Sequence, residues 1–400
     1  MRRDGRDATP VTPGFDRVVE ALGYAVDRRV RTTRAEHSRY GVGPATVERL
    51  AEVVAETGVT YVAVDDDLGP GQLADLAAAV PAATVRDRRG VVSDGLGAAG
   101  GSVAANRAEE WTLQVERRRL LNAARAADGE SEGAHEDRVA DVDRRRQRLN
   151  EEREALAEAA RRAVETGHEA AGARVVVAET VGTDADPSPW AALADGDADA
   201  NGDAGSDADG DPTRADENPL APGEPVTESI PVAAGTVALT AVPPLLRDCP
   251  AWYREAVPGT TAAVERADIV VVAAGDASAA SAAVDALRDT DEGPLLVWRR
   301  DDCAGDTDPS AAGLPAELSV YGGSASGLRE RVTALLPTER LSVRLPYDDD
   351  AHALVSWLYE HTHVEAVDYD DVVTATLVAF PDAAATVRRR VDAVGGSVED

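Results

Sequence analysis

Lysine is absent from this sequence of 400 residues, so all 41 of its Lys-plus-Arg side chains are arginines. That absence excludes a phosphate-binding loop of the kind that uses a lysine. The two cysteines, Cys249 and Cys303, lie far apart, which excludes a disulfide framework and the spacing of a zinc site. Aromatic residues make up only 4%, so we expect cores built mostly from Val, Leu and Ala.

Long apolar segments are also missing. No run approaches the roughly 18 residues that a membrane span requires. The N-terminal stretch MRRDGRDATP continues into polar sequence, so we expect no signal peptide. Together these features predict a cytoplasmic protein that has no membrane partner.

The charge is strongly one-sided, because 73 Asp and Glu against 41 Arg give a formal net charge of -32. Such a surface repels itself unless salt screens it, and the Debye length falls to about 3 Å at molar salt. We therefore hypothesise a protein of a salt-accumulating halophile, such as a haloarchaeon; an acidic protein of an ordinary cytoplasm is the alternative. No DNA partner is expected, and any RNA contact needs local arginine clusters.

The first predicted unit is a small α/β domain over residues 15–105. The apolar spacing in PATVERLAEVVAET predicts a helix with Val47, Leu50 and Val53 on one face. A short buried strand follows at Val59–Val64. The stretch GPGQLADLAAAV predicts a second helix opened by a Gly-Pro-Gly turn, and ATVRDRRGVVSDGL predicts a strand and a turn.

Residues 106–168 predict two long charged helices. A narrow apolar seam with a repeat of seven residues is typical of an antiparallel helical hairpin. The seam residues of the second helix are Val142, Leu149, Leu156 and Ala163, with Val139 and Ala160 alongside. The opposing residues of the first helix are Trp111, Leu113, Val115, Leu120 and Ala124.

Residues 172–337 alternate strands with helices, which predicts an α/β domain with a mostly parallel sheet. The predicted strands are ARVVVAETV from Ala173, Thr236–Thr240, Ile269–Ala273, Leu295–Trp298 and Leu318–Tyr321. An acidic low-complexity insert at about residues 192–224 interrupts them and is predicted to be disordered.

Residues 338–400 predict a small α+β domain. Its elements are a strand at Ser342–Leu345, a helix at Ala351–His361, strands within Val364–Phe380 and a helix at Ala383–Val394. The fold class is therefore multidomain α/β with four units along the chain.

Several segments, in order, carry motifs of one protein family. VAVDDDLGPGQLADLAAAV is similar to an acidic-leucine-proline-glutamine-leucine segment, with matches at Asp66, Leu68, Pro70, Gln72 and Leu73. VRDRRGVVSD resembles an aspartate-arginine strand at Asp87 and Arg88. LQVERRRL resembles a glutamine-valine-glutamate signature at Gln114, Val115 and Glu116, and LRDCPAWYREAV looks like the stretch after a third GTPase motif. The family that these segments resemble is HflX, a family of ribosome-associated GTPases.

The resemblance implies an HflX-like N-terminal α/β domain, an antiparallel helical hairpin and a G-like domain of the P-loop NTPase fold. It also implies GTP and Mg²⁺ as ligands, the large ribosomal subunit and its rRNA as partners, and action under stress.

The nucleotide loop of that family does not fit this sequence. After ARVVVAE the chain continues as TVGTDADPSPWAAL, in which Gly182 remains as a vestigial loop position. Pro187 and Pro189 remove backbone donors, and Asp184 and Asp186 would repel phosphate. Arginine is no simple substitute for the missing lysine, because its fork is larger and planar.

The other GTPase motifs are also altered. At the Asp-x-x-Gly motif, Ala241 stands at the Asp position and Pro244 at the Gly position. The guanine-reading Asn-Lys-x-Asp becomes Arg299, Arg300, Asp301 and Asp302, of which only Asp302 matches. The last motif, usually Ser-Ala-Lys, is replaced by VYGGSASGL.

These changes predict a pseudo-GTPase that binds the large ribosomal subunit without hydrolysis, with no catalytic residue and no required cofactor. GTP and Mg²⁺ would bind only if the altered loop still functions. One alternative is an active GTPase or ATPase with a rearranged loop, which an open nest of N–H groups at Val181–Asp186 would favour. Another is a partner or antagonist of a second HflX protein.

Two arginine runs on the hairpin are the candidate contacts with rRNA phosphates. They are Arg117, Arg118 and Arg119 in the first helix, and Arg144, Arg145, Arg146 and Arg148 in the second. The alternative is pairing with nearby carboxylates on the same helix.

Two further motifs favour structural roles. Asp197, Asp199, Asn201 and Gly202 match the opening of an EF-hand loop, but Ala208 stands at its twelfth position, so a solvated linker is favoured. His361 and His363 lie at a helix end with no further metal ligands in the nearby sequence.

Overall fold

The computed structural model describes residues 2–3, 12, 14–32, 37–127, 130–169, 171–181, 188–194, 212–213, 218–246, 248–274, 277–288, 295–299, 305–307, 319–322 and 325–399. Within these ranges, no helix combines the length and the apolarity needed to cross a membrane. The chain forms a mixed α/β structure of several units.

The N-terminal unit is built from short strands and four helices. Its elements are β1 (Arg2–Arg3), α1 (Phe15–Ala21), β2 (Arg31–Thr32), α2 (Pro44–Thr57), β3 (Tyr61–Val64), α3 (Pro70–Ala79), β4 (Thr84–Asp87) and α4 (Arg88–Ala98). β1 pairs with β2 and β3 with β4, each in parallel. Proline opens both α2 and α3, a position where its missing N–H costs no helical hydrogen bond.

Two details of this unit differ from the sequence-based expectation. The residues after β4 form α4 instead of a turn, because the Asp87 side chain accepts a hydrogen bond from the Gly90 N–H (3.0 Å) and caps the helix start. On α2 the buried residues are Val47, Leu50 and Val54, so Val54 takes the place predicted for Val53.

The hairpin consists of α5 (Ser102–Ala126) and α6 (Glu130–His168). Its interhelical core contains Leu113, Leu120, Val142 and Leu149, with Val139 packed against it. Trp111 and Val115 were predicted to lie in this seam, but they do not. They pack into the core of the N-terminal unit, because the first half of α5 lies against α3 and α4.

The far end of α6 also departs from the predicted seam. Ala163 is exposed, whereas Ala160 and Val164 are buried. The reason is that α6 extends past α5 and turns a different face toward the central domain. Val164 packs in one core with Ala263 and Val264 of helix α9 (Pro258–Glu265).

The central domain is a seven-stranded sheet with the order β10-β11-β9-β8-β5-β7-β6. The strands are β5 (Ala173–Glu179), β6 (Val226–Val232), β7 (Gly235–Ala241), β8 (Ile269–Ala274), β9 (Leu295–Arg299), β10 (Gly305–Thr307) and β11 (Ser319–Gly322). The other helices are α7 (Pro189–Ala194), α8 (Ala251–Ala256), α10 (Ala277–Arg288) and α11 (Ala325–Leu335).

Five strands of this sheet run in parallel, and β6 and β10 are antiparallel edge strands. Neither edge strand was expected from the sequence. β6 has no fully buried residue, so it shows no apolar pattern from which a strand could be predicted. The parallel centre, by contrast, is apolar on both faces, as expected for strands that helices cover.

The predicted boundaries of the acidic insert are too wide. Residues 192–194 belong to α7, and Leu220 is fully buried. The Asn218 side-chain amide donates a hydrogen bond to the Gly95 carbonyl (3.0 Å), which fixes this segment on α4. Residues 192–194 and the segment around Asn218 and Leu220 are therefore packed against the rest of the protein and do not belong to the insert. Residues 195–211 and 214–217 lie outside the described residues.

The C-terminal unit is an antiparallel sheet covered by two helices. Its elements are β12 (Glu339–Pro346), α12 (Asp349–His361), β13 (His363–Tyr369), β14 (Val372–Ala379), α13 (Pro381–Ala393) and β15 (Ser397–Glu399). The strand order is β13-β14-β12-β15, so the short terminal strand β15 adds an edge that was not predicted. Alternate residues of β12 are buried in a core shared with α12 and α13.

Candidate functional site

The carboxyl ends of β5 and β7 form the edge at which an open α/β sheet ordinarily binds a ligand. Here the backbone groups just beyond β5 bond to neighbouring strands. The Thr180 N–H donates to the Ala273 carbonyl (3.0 Å), and the Val181 N–H donates to the Leu245 carbonyl (3.0 Å). In return, the Leu245 N–H donates to the Glu179 carbonyl (2.6 Å). The N–H groups of Thr180 and Val181 are therefore not directed at a phosphate site.

The end of β7, which the sequence resemblance aligns with the Asp-x-x-Gly motif, is apolar. Ala241 is fully buried and belongs to the same core as Val177 and Trp190. The Pro244 carbonyl accepts a hydrogen bond from the hydroxyl of Tyr253, which is itself fully buried. Burial raises the pKa of Tyr253 well above its ordinary value, so this hydroxyl stays a neutral donor. In the part of the chain that the structure describes, no cluster of His, Cys, Asp or Glu could hold a metal ion.

The two vestigial nucleotide positions, Gly182 and Asp302, lie outside the described residues. The same holds for Asp184, Asp186, Pro187, Arg300 and Asp301. Pro189 begins the short helix α7, and the Ser188 hydroxyl accepts a hydrogen bond from the Ala191 N–H (3.1 Å). The prediction of an open or a closed loop at Val181–Asp186 is therefore tested only at Val181.

An ionic contact between a buried arginine and a half-exposed aspartate joins the segment after β7 to the N-terminal unit. The Arg88 side chain is only 2% exposed, and both of its terminal nitrogens donate to the Asp248 carboxylate (Nη1 to Oδ2, 2.7 Å). Asp67 lies 3.9 Å from Arg88 Nη1 and accepts a hydrogen bond from Trp252 Nε1 (3.0 Å). Burial opposes the charge of Arg88, but the bonds to Asp248 outweigh it and raise the Arg88 pKa.

Asp87 is the second buried charge of this contact. It is fully buried and accepts hydrogen bonds from Trp111 Nε1 (2.9 Å) and the Gly90 N–H (3.0 Å). Burial raises the Asp87 pKa to about 6, although these hydrogen bonds and the charge of Arg89 oppose the change. The Arg89 guanidinium lies over the rings of Trp111 (4.3 Å) and Trp252 (5.7 Å).

Reasoning from the sequence identified Asp87 and Arg88 only as family matches and did not identify Asp248 or Trp252. Arg88 and Asp248 are 160 residues apart, and nothing in either local sequence indicates that they meet. The one local feature that could have pointed to this contact is the polar and aromatic set Asp248, Trp252 and Tyr253 in LRDCPAWYREAV. In sequence that segment resembles an ordinary short helix.

The hairpin arginines fall into two groups. Four of them pair with carboxylates: Arg117 with Asp143 (2.7 Å), Arg144 with Asp141 (3.2 Å), Arg145 with Glu109 (3.0 Å) and Arg146 with Glu110 (3.2 Å). The Arg144 pair lies within one helix, and Arg146 also lies 3.8 Å from Asp143 of its own helix. The pairs of Arg117 with Asp143, Arg145 with Glu109 and Arg146 with Glu110 join α5 to α6, so pairing along one helix describes only part of this network.

Glu110 is the centre of this interhelical network. It also accepts hydrogen bonds from Gln114 (2.7 Å) and Arg153 (3.0 Å). Burial would raise the Glu110 pKa, but these bonds and the charges of Arg146 and Arg153 lower it. Within the described residues, Arg118, Arg119 and Arg148 have no ion pair, and all three are exposed.

The remaining candidates have structural roles or are not described. His361 Nδ1 lies 2.9 Å from the Trp357 carbonyl, and its ring stacks on Trp357 (4.4 Å), so it belongs to the end of α12. The four EF-hand-like positions, Asp197, Asp199, Asn201 and Gly202, lie outside the described residues.

Residues 15–94, which are 80 of the 400 residues, match the family model described as "GTP-binding GTPase N-terminal". This part of the N-terminal unit is thus similar to a domain found at the N-terminus of GTP-binding GTPases. No curated protein matches the chain.

Solved structures of GTP-binding proteins resemble the chain weakly. A GTP-binding protein from the hyperthermophilic archaeon Sulfolobus solfataricus in complex with GDP is 15% identical, with a TM-score of 0.39. The match covers 80% of this chain and 93% of that one. A complex of SsGBP and GDP is 13% identical, with a TM-score of 0.43, and covers 86% of this chain and 94% of that one. These similarities support no residue-level conclusion.

Proposed function

We propose that the protein is an HflX-like ribosome-associated protein that binds the large ribosomal subunit and does not hydrolyse GTP. The observation that carries the proposal is the apolar end of β7, where Ala241 and Pro244 stand at the positions of the metal carboxylate and the hinge glycine. The match of residues 15–94 to a GTPase N-terminal domain supports the choice of family.

The loss of hydrolysis follows from the chemistry of phosphoryl transfer. That reaction is catalysed mainly by positioning and by cations that stabilise charge on the phosphate oxygens. A P-loop enzyme uses a lysine and a Mg²⁺ ion for this, and Mg²⁺ in turn needs oxygen ligands. This chain has no lysine, and Ala241 and Pro244 provide neither a carboxylate nor a glycine. Without those groups, a bound triphosphate would lack the lysine and the Mg²⁺ ligands that a P-loop enzyme places at the reacting phosphate.

The hairpin is the proposed ribosome contact, acting together with the N-terminal unit. Phosphate contacts from arginines supply affinity for RNA without reading its sequence. Arg118, Arg119 and Arg148 are the best candidates, because they are exposed and lack an ion pair in the described structure. Arg144, Arg145 and Arg146 would first have to leave their carboxylate partners.

The test is co-sedimentation of the purified full chain with large ribosomal subunits in KCl buffer with Mg²⁺, without nucleotide, with GDP and with a non-hydrolysable GTP analogue. We expect the same bound fraction in all three conditions. Binding that appears only with the GTP analogue would contradict the pseudo-GTPase proposal. No binding in any condition would contradict ribosome association.

Two matched triple variants locate the contact. Replacement of Arg118, Arg119 and Arg148 by Gln should strongly weaken co-sedimentation, since about three phosphate contacts would be lost. Replacement of Arg144, Arg145 and Arg146 by Gln removes the same number of charges on the same hairpin and should weaken binding much less. If both triple variants bind as the parent does, the hairpin is not the contact.

A further inference from the structure

Three tyrosines of the C-terminal unit are unusually exposed. The chain has eight tyrosines, and Tyr347, Tyr359 and Tyr369 are 58%, 59% and 48% exposed. Aromatic residues make up only 4% of the sequence, and within the described residues the buried ones are Phe15, Trp111, Trp190, Trp252, Tyr253 and Phe380. Exposed aromatic side chains that cluster on one surface are typical of a contact with a partner.

Two of these tyrosines form a continuous aromatic surface with a histidine. The His352 ring lies edge-on to Tyr347 (5.2 Å between centroids, 90°) and stacks on Tyr369 (5.8 Å, 15°). We name these three residues the aromatic patch. His352 Nδ1 lies 2.6 Å from the Asp348 carbonyl, which fixes the middle ring at the start of α12. Tyr359 is almost two helical turns away and has no ring contact with the patch.

Carboxylates flank the residues of the aromatic patch in sequence. Asp349 and Asp350 occupy the first turn of α12 beside Tyr347, and Asp368, Asp370 and Asp371 flank Tyr369 at the turn between β13 and β14. All five are exposed, and none has an ion pair within the part of the chain that the structure describes. By contrast, Glu365 on the same strand is paired with Arg340 (2.6 Å).

We propose that the aromatic patch docks an arginine-rich extended segment of another protein. A guanidinium group stacks on aromatic faces and pairs with carboxylates, and this surface presents both. The protein uses the same geometry internally, where the Arg390 guanidinium lies over the Trp357 ring (4.3 Å). RNA could also stack its bases on exposed rings, but five unpaired aspartates would repel its phosphates. This inference does not depend on the proposed loss of GTP hydrolysis or on the hairpin contact.

The test uses the full chain and a short fluorescent peptide in which Arg and Gly alternate, with binding measured by fluorescence anisotropy. We expect saturable binding that is lost when every Arg is replaced by citrulline, which keeps the shape and removes the charge. The double variant Y347A/Y369A should bind about tenfold more weakly, because two ring contacts are removed. The single variant Y359A removes an equally exposed tyrosine outside the patch and should bind as the parent does.

Three outcomes would overturn the proposal. The first is no binding of the Arg peptide, and the second is equal binding by the parent and by Y347A/Y369A. The third is a labelled oligouridine that binds more tightly than the peptide and loses affinity in Y347A/Y369A, since the patch would then be an RNA surface. Circular dichroism of the variants checks that the unit is folded, which is expected because each altered tyrosine is about half exposed or more.

Discussion

Two neighbouring regions of this molecule differ in charge: the end of β7 is apolar, whereas the segment just after it carries paired charges. At the end of β7, Ala241 is buried among apolar side chains, and the nearby carbonyl of Pro244 is bonded to Tyr253. A few residues further along the chain, Asp248 and Trp252 meet the N-terminal unit through partly buried ionic and hydrogen-bonded contacts. The first region is apolar, whereas the second is rich in paired charge.

The difference shows what holds the segment after β7 in place. Arg88 of the N-terminal unit bonds to Asp248, and Asp67 accepts a hydrogen bond from Trp252. The bond from Tyr253 to the Pro244 carbonyl holds the segment from within. A segment fixed by side chains of the same protein needs no nucleotide to be ordered, which agrees with the proposed nucleotide-independent binding.

The largest effect on stability is expected when a carboxylate is introduced at the apolar end of β7. Ala241→Asp places an unpaired charge in a fully buried apolar site, and we expect a loss of about 5 kcal/mol in the free energy of unfolding. The measurement is urea denaturation followed by tryptophan fluorescence. Ala241→Val, which adds similar volume without charge, is the control and should lose less. If Ala241→Asp is as stable as Ala241→Val, the strand end is hydrated and the comparison between the two regions fails.

The next effect concerns the buried arginine. Arg88→Ala removes both bonds to the half-exposed Asp248 and leaves a void beside Trp252, so we expect a loss of about 3 to 4 kcal/mol in the free energy of unfolding. Trp252 fluorescence should also become more accessible to a soluble quencher, because its neighbour is gone. Arg88→Met keeps most of the stem and should recover part of the loss. A variant Arg88→Ala with the parent's stability and quenching would show that the contact does not fix the segment.

Much of the fold could be predicted from local patterns, whereas the site could not. The strands β5 and β8 could be predicted because continuous β-branched runs are rare outside buried strands. Helix α2 could be predicted because its apolar residues recur at helical spacing. Helix α4 was not predicted, because its segment contains three glycines and its apolar residues show only weak helical periodicity. Only the capping residue Asp87 could have indicated where the helix starts. The contact between Arg88 and Asp248 depends on how two units pack, and no local pattern of either segment encodes that.

The smallest expected effect is a dependence on pH that originates in Asp87. Its pKa of about 6 in the folded protein exceeds its ordinary value of 3.8, so folding favours the protonated form. The stabilisation from this carboxyl is fully present below pH 3.8 and is lost as the pH rises through about 6. The free energy of unfolding of the parent, relative to Asp87→Asn, should therefore fall by up to about 3 kcal/mol over that interval. Asp382→Asn, at an exposed helix start, gives the background. The free energies of unfolding of the parent and of Asp87→Asn could instead change in parallel with pH. That result would show that Asp87 is ionised without cost in the folded state, so that its surroundings are better solvated than the apolar end of β7.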